Sequence, residues 1–354
     1  MSHPNSNQPW LNSRASDVIF ILSPPFFALL LVLLFPSQFQ NAVGVPLAYW
    51  VFLIVFIDVA HVYSTLYRTY FNPGNFKKQY TLLIAIPLAC YIAGVMIYHF
   101  DALWFWRILA YLAVYHFIRQ QYGFMRLYSR NESASLAGQF IDKVAIYTAT
   151  LYPLLFWHLS IARHFNWFIA GDFFSFKNDA LLKVSALIYI AIIALYLIKE
   201  ILVVIKQRWM NIPRNLLVAG TFLSWYFGIV YFNGDMAFTT LNVVSHGIPY
   251  MALIWFFEKK KLNGATVKSK IMTLSFGKWG IFYFLLILVL FAYLEEGLWD
   301  GLVWKEHQAV FKPFSTLPQI TSNELLSLLV PLLALPQATH YVLDGFIWKA
   351  KNKF

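Results

Sequence analysis

Charge is scarce in this chain. Asp, Glu, Lys and Arg make up 12% of its 354 residues, against 60% hydrophobic ones. A soluble domain carries roughly 25% charged and 45–50% apolar residues, and a soluble fold could not hide this much apolar surface. Cysteine is nearly absent. Its single thiol, Cys90, lies in an apolar run, which excludes a disulfide framework and a thiolate metal site. No H-E-x-x-H zinc motif occurs. Nor do the H-x-x-H-H or H-x-x-x-H clusters that membrane diiron desaturases and hydroxylases carry. Internal repeats and low-complexity linkers are also lacking. A cleavable leader is not expected, because the tail 1–17 is polar and the first apolar run contains Ser23-Pro24-Pro25 without a small-x-small end. Nucleic acid is not expected as a partner, although the formal charge is +11, because the basic residues sit between hydrophobic segments, as membrane proteins place them.

What is abundant is apolar sequence in runs of membrane length. About 20 residues of helix cross a bilayer core. Ten segments qualify: 18–35, 46–68, 79–99, 102–127, 139–160, 182–206, 214–232, 237–258, 278–295 and 323–348. The expected fold is an all-α polytopic helix bundle. It would have a cytoplasmic tail 1–17, a single transmembrane domain 18–348 and a cytoplasmic tail 349–354. With the N-terminus inside, 20 Lys and Arg fall on inside segments, from Arg14 to Lys353, and 5 on outside loops. This alternation supports ten spans with both ends in the cytoplasm. A multi-pass protein of a bacterial inner membrane is the expected localisation. The outside loops 161–181 and 296–322 are rich in Phe and Trp. They read as aromatic belts on the bilayer surface, or else as a lid over a lateral entry.

Nine histidines occur. His3, His99, His158, His164 and His307 fall in tails, loops or helix ends, where water is at hand. His61, His116, His246 and His340 instead lie inside helices 2, 4, 8 and 10, at roughly 10–18 Å from the cytoplasmic boundary on the helical rise. An intramembrane ionisable residue is costly and usually faces the interior in a functional role, although a single one can serve as an interhelical hydrogen bond. Four at one depth point to a metal site, provided that their helices are neighbours. Each has a polar residue on the same helix face: Asp58 before His61, Gln120 after His116, Asn242 before His246 and Asp344 after His340. Asp58 and Asp344 are expected to orient ring N–H groups from behind, to ligate directly, or to pair with Arg68 or Arg119. Pro249 and Pro336 would kink helices beside two of the ligands.

Imidazole suits zinc, copper, iron and nickel. A b-type haem would use two of the histidines and leave two over, whereas one mononuclear ion uses all four. This pattern of isolated histidines on separate helices resembles the Brp/Blh-type membrane carotenoid dioxygenases. The resemblance covers architecture across most of the chain. It does not extend to a glycine-proline-histidine-glycine signature, since the chain reads Asp58-Val59-Ala60-His61-Val62-Tyr63, and His340 stands apart where that family places its later histidines close together. The resemblance implies ferrous iron, O2 and an apolar polyene substrate, with His61, His116 and His246 as the matching ligands. The sequence therefore leads to the expectation of an iron oxygenase acting on a carotenoid or acyl chain. Asp58, Asp344, Arg119 and Gln120 would surround its ligands. Copper, zinc and haem stay open as cofactors. The rivals are a proton- or ion-coupled transporter, a haem electron carrier and a protein that uses its histidines only for packing.

Overall fold

The structure, a computed structural model, describes residues 8–40, 44–132, 135–262, 264 and 269–348. His3, Lys268 and the expected tail 349–354 lie outside the described residues. The described residues form helices joined by irregular loops, with no strand among them, and each of the ten expected segments forms a helix or a bent helix pair. In chain order these are α1 (Arg14–Leu22 and Pro24–Leu34), α2 (Leu47–Arg68), α3 (Pro73–Phe100), α4 (Ala102–Tyr128), α5 (Leu136–Leu159), α6 (Asp179–Gln207) and α7 (Ile212–Trp225, continued by a π turn Tyr226–Tyr231). There follow α8 (Asp235–Leu262), α9 (Gly280–Trp304) and α10 (Asn323–Leu333 and Leu335–Ile347). A short helix Lys270–Phe276, not expected from the sequence, precedes α9.

Side-chain caps start several of these helices. Asn72 accepts from the Asn75 N–H, Ser135 from Gly138 and Asn211 from Arg214, each at 3.1 Å. Proline sets the two bends. Pro24 opens the second half of α1 at 48°, and Pro336 opens the second half of α10 at 43°, because each ring removes a donor from the turn it enters. Pro249 bends nothing sharply enough to end its helix, and α8 runs on past it.

Five helices are long and apolar enough to cross a membrane, or up to seven if each bent pair is one span. The five are α2, α3, α6, α8 and α9. The remaining segments, α4, α5 and α7, have helical length but interrupt their apolar runs with Arg, Gln, His, Tyr and Trp, so length and composition alone do not assign them.

The described chain falls into two compact units: residues 1–44 with 117–249, and residues 45–116 with 250–354. Helices α4 and α8 run unbroken through the division. In the first unit, α5 packs on α6 and α7, and α1 packs on α7. Gly220 lets α7 approach α1, since a Cβ there would meet Pro25 at 3.1 Å. In the second unit, Gly94 of α3 lies against α10, where a Cβ would stand 2.9 Å from Pro331. Small residues at such crossings are what close helix packing in a membrane requires. Burial separates the roles of the helices: 67% of the apolar window of α8 is buried, but only 11% in α3 and 17% in α6. Helix α8 is a core element, whereas the apolar side chains of α3 and α6 are largely exposed.

The loop 161–181 departs from the belt expectation in part. Phe165 and Phe173 are buried and pack on Trp157 at 4.8 and 4.4 Å between ring centres, whereas Phe174 and Phe176 stay exposed. Asp172 folds the loop inward by accepting the N–H groups of Trp167, Phe168 and Ile169 at 2.9, 2.6 and 3.2 Å. Burial pushes its carboxyl above the usual range, and these donors pull the other way. In the loop 296–322, Phe311 is fully buried against Trp50 and Tyr293, while Trp304 remains exposed.

Candidate metal centre

The four intramembrane histidines are all buried, His61, His116 and His340 at 2% exposure or less and His246 at 0%. They form one group in which a ligand atom of each lies within 4.8 Å of the others. A buried group of four imidazoles can hold a metal ion.

His61 follows directly on a nine-residue π turn, Val51–Val59. Such widened turns recur at functional sites, because they rotate the residues after them relative to a regular helix. His61 Nδ1 stands 3.8 Å from Asp58 Oδ1, one turn back, as the i,i+3 spacing requires. Its ring lies 5.1 Å from that of His340, nearly perpendicular to it.

His116 and His340 face each other through Nε2, at 3.1 Å. Two imidazoles bound to one ion at about 2.0–2.1 Å hold their nitrogens about 2.8–3.4 Å apart, for angles from right-angled to tetrahedral. The opposite side of each ring is anchored. His340 Nδ1 is 2.7 Å from Thr65 Oγ1, and Thr65 Oγ1 is 3.1 Å from the Tyr250 hydroxyl. Tyr250 donates to Asp344 Oδ1, and Asp344 Oδ2 lies 3.5 Å from His116 Nδ1. One proton assignment satisfies each step. His340 Nδ1–H donates to Thr65, Thr65 to Tyr250, Tyr250 to Asp344, and His116 Nδ1–H points at the same carboxylate. Both Nε2 atoms then carry lone pairs toward each other in a buried place. At 3.1 Å the two nitrogens can share a proton, one ring donating to the other, or take a cation between them as two bonds. Outer partners that fix the tautomer in this way are a regular feature of histidine metal sites.

His246 is held by its own surroundings. Its ring stacks on Phe117 at 3.5 Å and 10° between planes. Its carbonyl accepts from Gln120 Nε2 at 3.0 Å, so Gln120 steadies the helix at His246 rather than the ring of His116. Asn242 turns back to the Phe238 carbonyl at 2.8 Å. Asp344, expected behind His340, stands behind His116 instead, because the reach from α10 to α4 is shorter than the path back along its own helix. Arg119 is exposed and donates to the Tyr147 hydroxyl at 2.9 Å. Arg68 pairs with Glu258 at 3.1 Å and donates to the Ile347 carbonyl.

Two residues of the network were not expected, Thr65 and Tyr250. Each lies four residues after a histidine, His61 and His246, at the same spacing that drew attention to Gln120. Beside them, Tyr341 lies 5.2 Å from His116 between ring centres. Tyr63 donates to the buried Glu295 at 2.6 Å.

The ligand set contains neutral nitrogen donors only. An ion held by them keeps its full charge, and the set suits iron, copper, zinc or nickel. Set against known protein families, characterised proteins and solved structures, the chain matches none of them.

Proposed function

We propose that His61, His116, His246 and His340 hold Fe(II), and that the protein is a membrane oxygenase acting with O2 on an apolar, lipid-like substrate, a carotenoid or an acyl chain. The observation that carries this reading is the pair of ring nitrogens at 3.1 Å with both Nδ1 atoms anchored from behind. It is an arrangement preorganised for a cation. Iron bound there would supply the redox chemistry that O2 requires, with positions left over beside four nitrogen ligands. Thr65, Tyr250 and Asp344 orient two of the rings. Phe117 and Tyr341 shield His246 and His116 and keep water from the group. The apolar helices α3 and α6 put the protein in the phase where such substrates dissolve. The architectural resemblance to Brp/Blh-type carotenoid dioxygenases points to the same substrate class.

A proton-coupled transporter is the second reading, favoured by Asp58 beside His61 and by the buried Glu295 joined to Tyr63.

Metal content decides between them. Mass spectrometric metal analysis of detergent-purified protein is expected to find near-stoichiometric iron in the wild type and none in folded His116→Ala or His246→Ala. O2 uptake on adding carotenoid or acyl lipid is expected only in the iron-loaded wild type. Wild type that stays metal-free after anaerobic reconstitution with iron, copper and zinc would overturn the oxygenase reading and bring transport assays forward.

A further inference from the structure

One buried cation joins the end of α2 to the end of α10. Arg68 closes α2 and is 5% exposed. It follows His61 by two helical turns and Thr65 by one, on the same helix face. Its guanidinium donates to the Ile347 carbonyl, through Nη2 at 3.0 Å and Nε at 3.3 Å. Ile347 ends α10, and the last carbonyls of a helix have no partner within it. A cation at that end also suits the helix dipole. The same guanidinium carbon stands 3.9 Å from the centre of the Trp348 ring and 4.2 Å from that of Phe257. Nη1 pairs with Glu258 at 3.1 Å, and Asn72 donates to the other oxygen of Glu258 at 2.9 Å.

Helix α10 carries two residues of the metal centre on the way to this clamp. His340 is one of the four histidines, and Asp344 stands 3.5 Å from His116 Nδ1. Trp348 follows Asp344 by one turn, and its indole N–H is shared between Asp344 and Tyr250. Helices α2 and α10 are thus joined at three heights. His61 meets His340 at 5.1 Å between ring centres, Thr65 Oγ1 meets His340 Nδ1 at 2.7 Å, and Arg68 grips Ile347 and Trp348. All of these residues belong to one compact unit. A buried ion pair is a weak source of net stability, and its best-attested use is to fix one arrangement. A planar, forked cation stacks on rings while holding a carbonyl and a carboxylate, which a compact ammonium does not.

We propose that Arg68 is a positioning residue of the metal centre, acting through Ile347 and Trp348 to set where α10 holds His340 and Asp344. This role rests on the four histidines binding a metal ion, whatever the substrate.

Cobalt(II) suits the same nitrogen ligands, and its visible absorption reports their number and geometry. The test is a cobalt(II) titration of the detergent-purified, metal-free full chain, as wild type and Arg68→Lys, with melting of each metal-free protein alongside. Arg68→Lys keeps a charge opposite Glu258, so its melting midpoint is expected to stay within a few degrees of wild type. Its cobalt bands are expected to shift, and its affinity to fall about tenfold, the lower end of the loss for an outer partner of a ligand. Should Arg68→Lys fail to fold, Arg68→Met combined with Glu258→Leu decides, because an apolar pair in place of a buried ion pair is often neutral or stabilising. It is expected to melt no lower than wild type and still to show the shifted bands and weaker binding. Wild-type bands and affinity in the folded variant would overturn the role of Arg68 and leave the metal centre standing. Weaker binding with unchanged bands and a matching fall in melting would also overturn it, leaving Arg68 a structural residue. A wild type that takes up neither cobalt nor iron would overturn the metal reading itself, and this role with it.

Discussion

Two buried polar clusters lie in this protein, and they are built on opposite plans. The cluster around Arg214 is made of full charges that answer one another. The guanidinium reaches Glu132 at 2.7 Å, Asp142 at 3.2 Å and also Glu200, and Lys199 closes the ring onto Asp142 and Glu200. Asn211 and Asn215 satisfy remaining oxygens of Glu132 and Glu200. The cluster around His116 and His340 is made of neutral rings whose outer nitrogens are anchored and whose inner nitrogens meet at 3.1 Å. The first cluster pairs three carboxylates with two cations and ties α5, α6 and α7 together. The second has its outer nitrogens anchored and its two inner nitrogens within reach of a shared proton or of a cation. That contrast separates a group that holds the fold from a group that can take a cation.

Substitution tests the contrast most severely at its extremes. Arg214→Met removes the centre of the ion network and leaves three buried carboxylates with Lys199 as their one remaining cation. Breaking a buried pair in this way costs about 3–5 kcal/mol. The expected result in a detergent melting experiment is a large drop in midpoint or failure to purify. His340→Ala removes no net charge and leaves the Thr65 oxygen as the main unmatched acceptor, a cost of about 1–3 kcal/mol. It is expected to fold, with a smaller drop, and to contain no iron. Equal destabilisation by the two changes would erase the distinction and make the histidines structural.

The helical character of every expected segment was readable from hydropathy, although length and composition qualify five helices, or up to seven, as spans rather than ten, and the set of four histidines was readable too. Their convergence was not readable, because helix neighbours are chosen by packing details such as Gly94 against Pro331 and Gly220 against Pro25. Asp344 shows the typical error: spacing along α10 tied it to His340, while contact across to α4 gave it to His116. Thr65 and Tyr250 carried the right spacing, but in a chain with 21 tyrosines a tyrosine four residues from a histidine is no signal. The Arg214 network was hidden for another reason. Glu132 sits in a loop and Glu200 near a helix end, where nothing in the sequence marks a charge as buried.

Within the histidine cluster the carboxylate should matter more than the hydroxyls. Asp344→Asn keeps the acceptor for Tyr250 but turns an amide toward His116 Nδ1–H, setting donor against donor. Loss of such an outer partner costs about 10–100-fold in metal affinity. The expected result is iron binding weakened toward the upper end of that range, measured by competition with a chelator, with little change in melting of the metal-free protein. Unchanged affinity would mean that Asp344 serves Tyr250 alone.

The smallest effect is expected at Thr65, and it is the most discriminating. Thr65→Val keeps shape and burial and removes only the oxygen between His340 Nδ1 and Tyr250. A packing role predicts no change in iron affinity, because the methyl replaces the hydroxyl almost exactly in volume. An orienting role predicts a loss near the lower end of the same range, about tenfold, since His340 Nδ1–H then faces a methyl group and the tautomer with Nε2 turned to the metal is no longer favoured. Thr65→Ser restores the oxygen without the methyl and should recover the affinity. If Val and Ser behave alike, the chain of hydrogen bonds from His340 to His116 does not set the ligand geometry, and the cluster would be no better prepared for a cation than four buried histidines at matched depth.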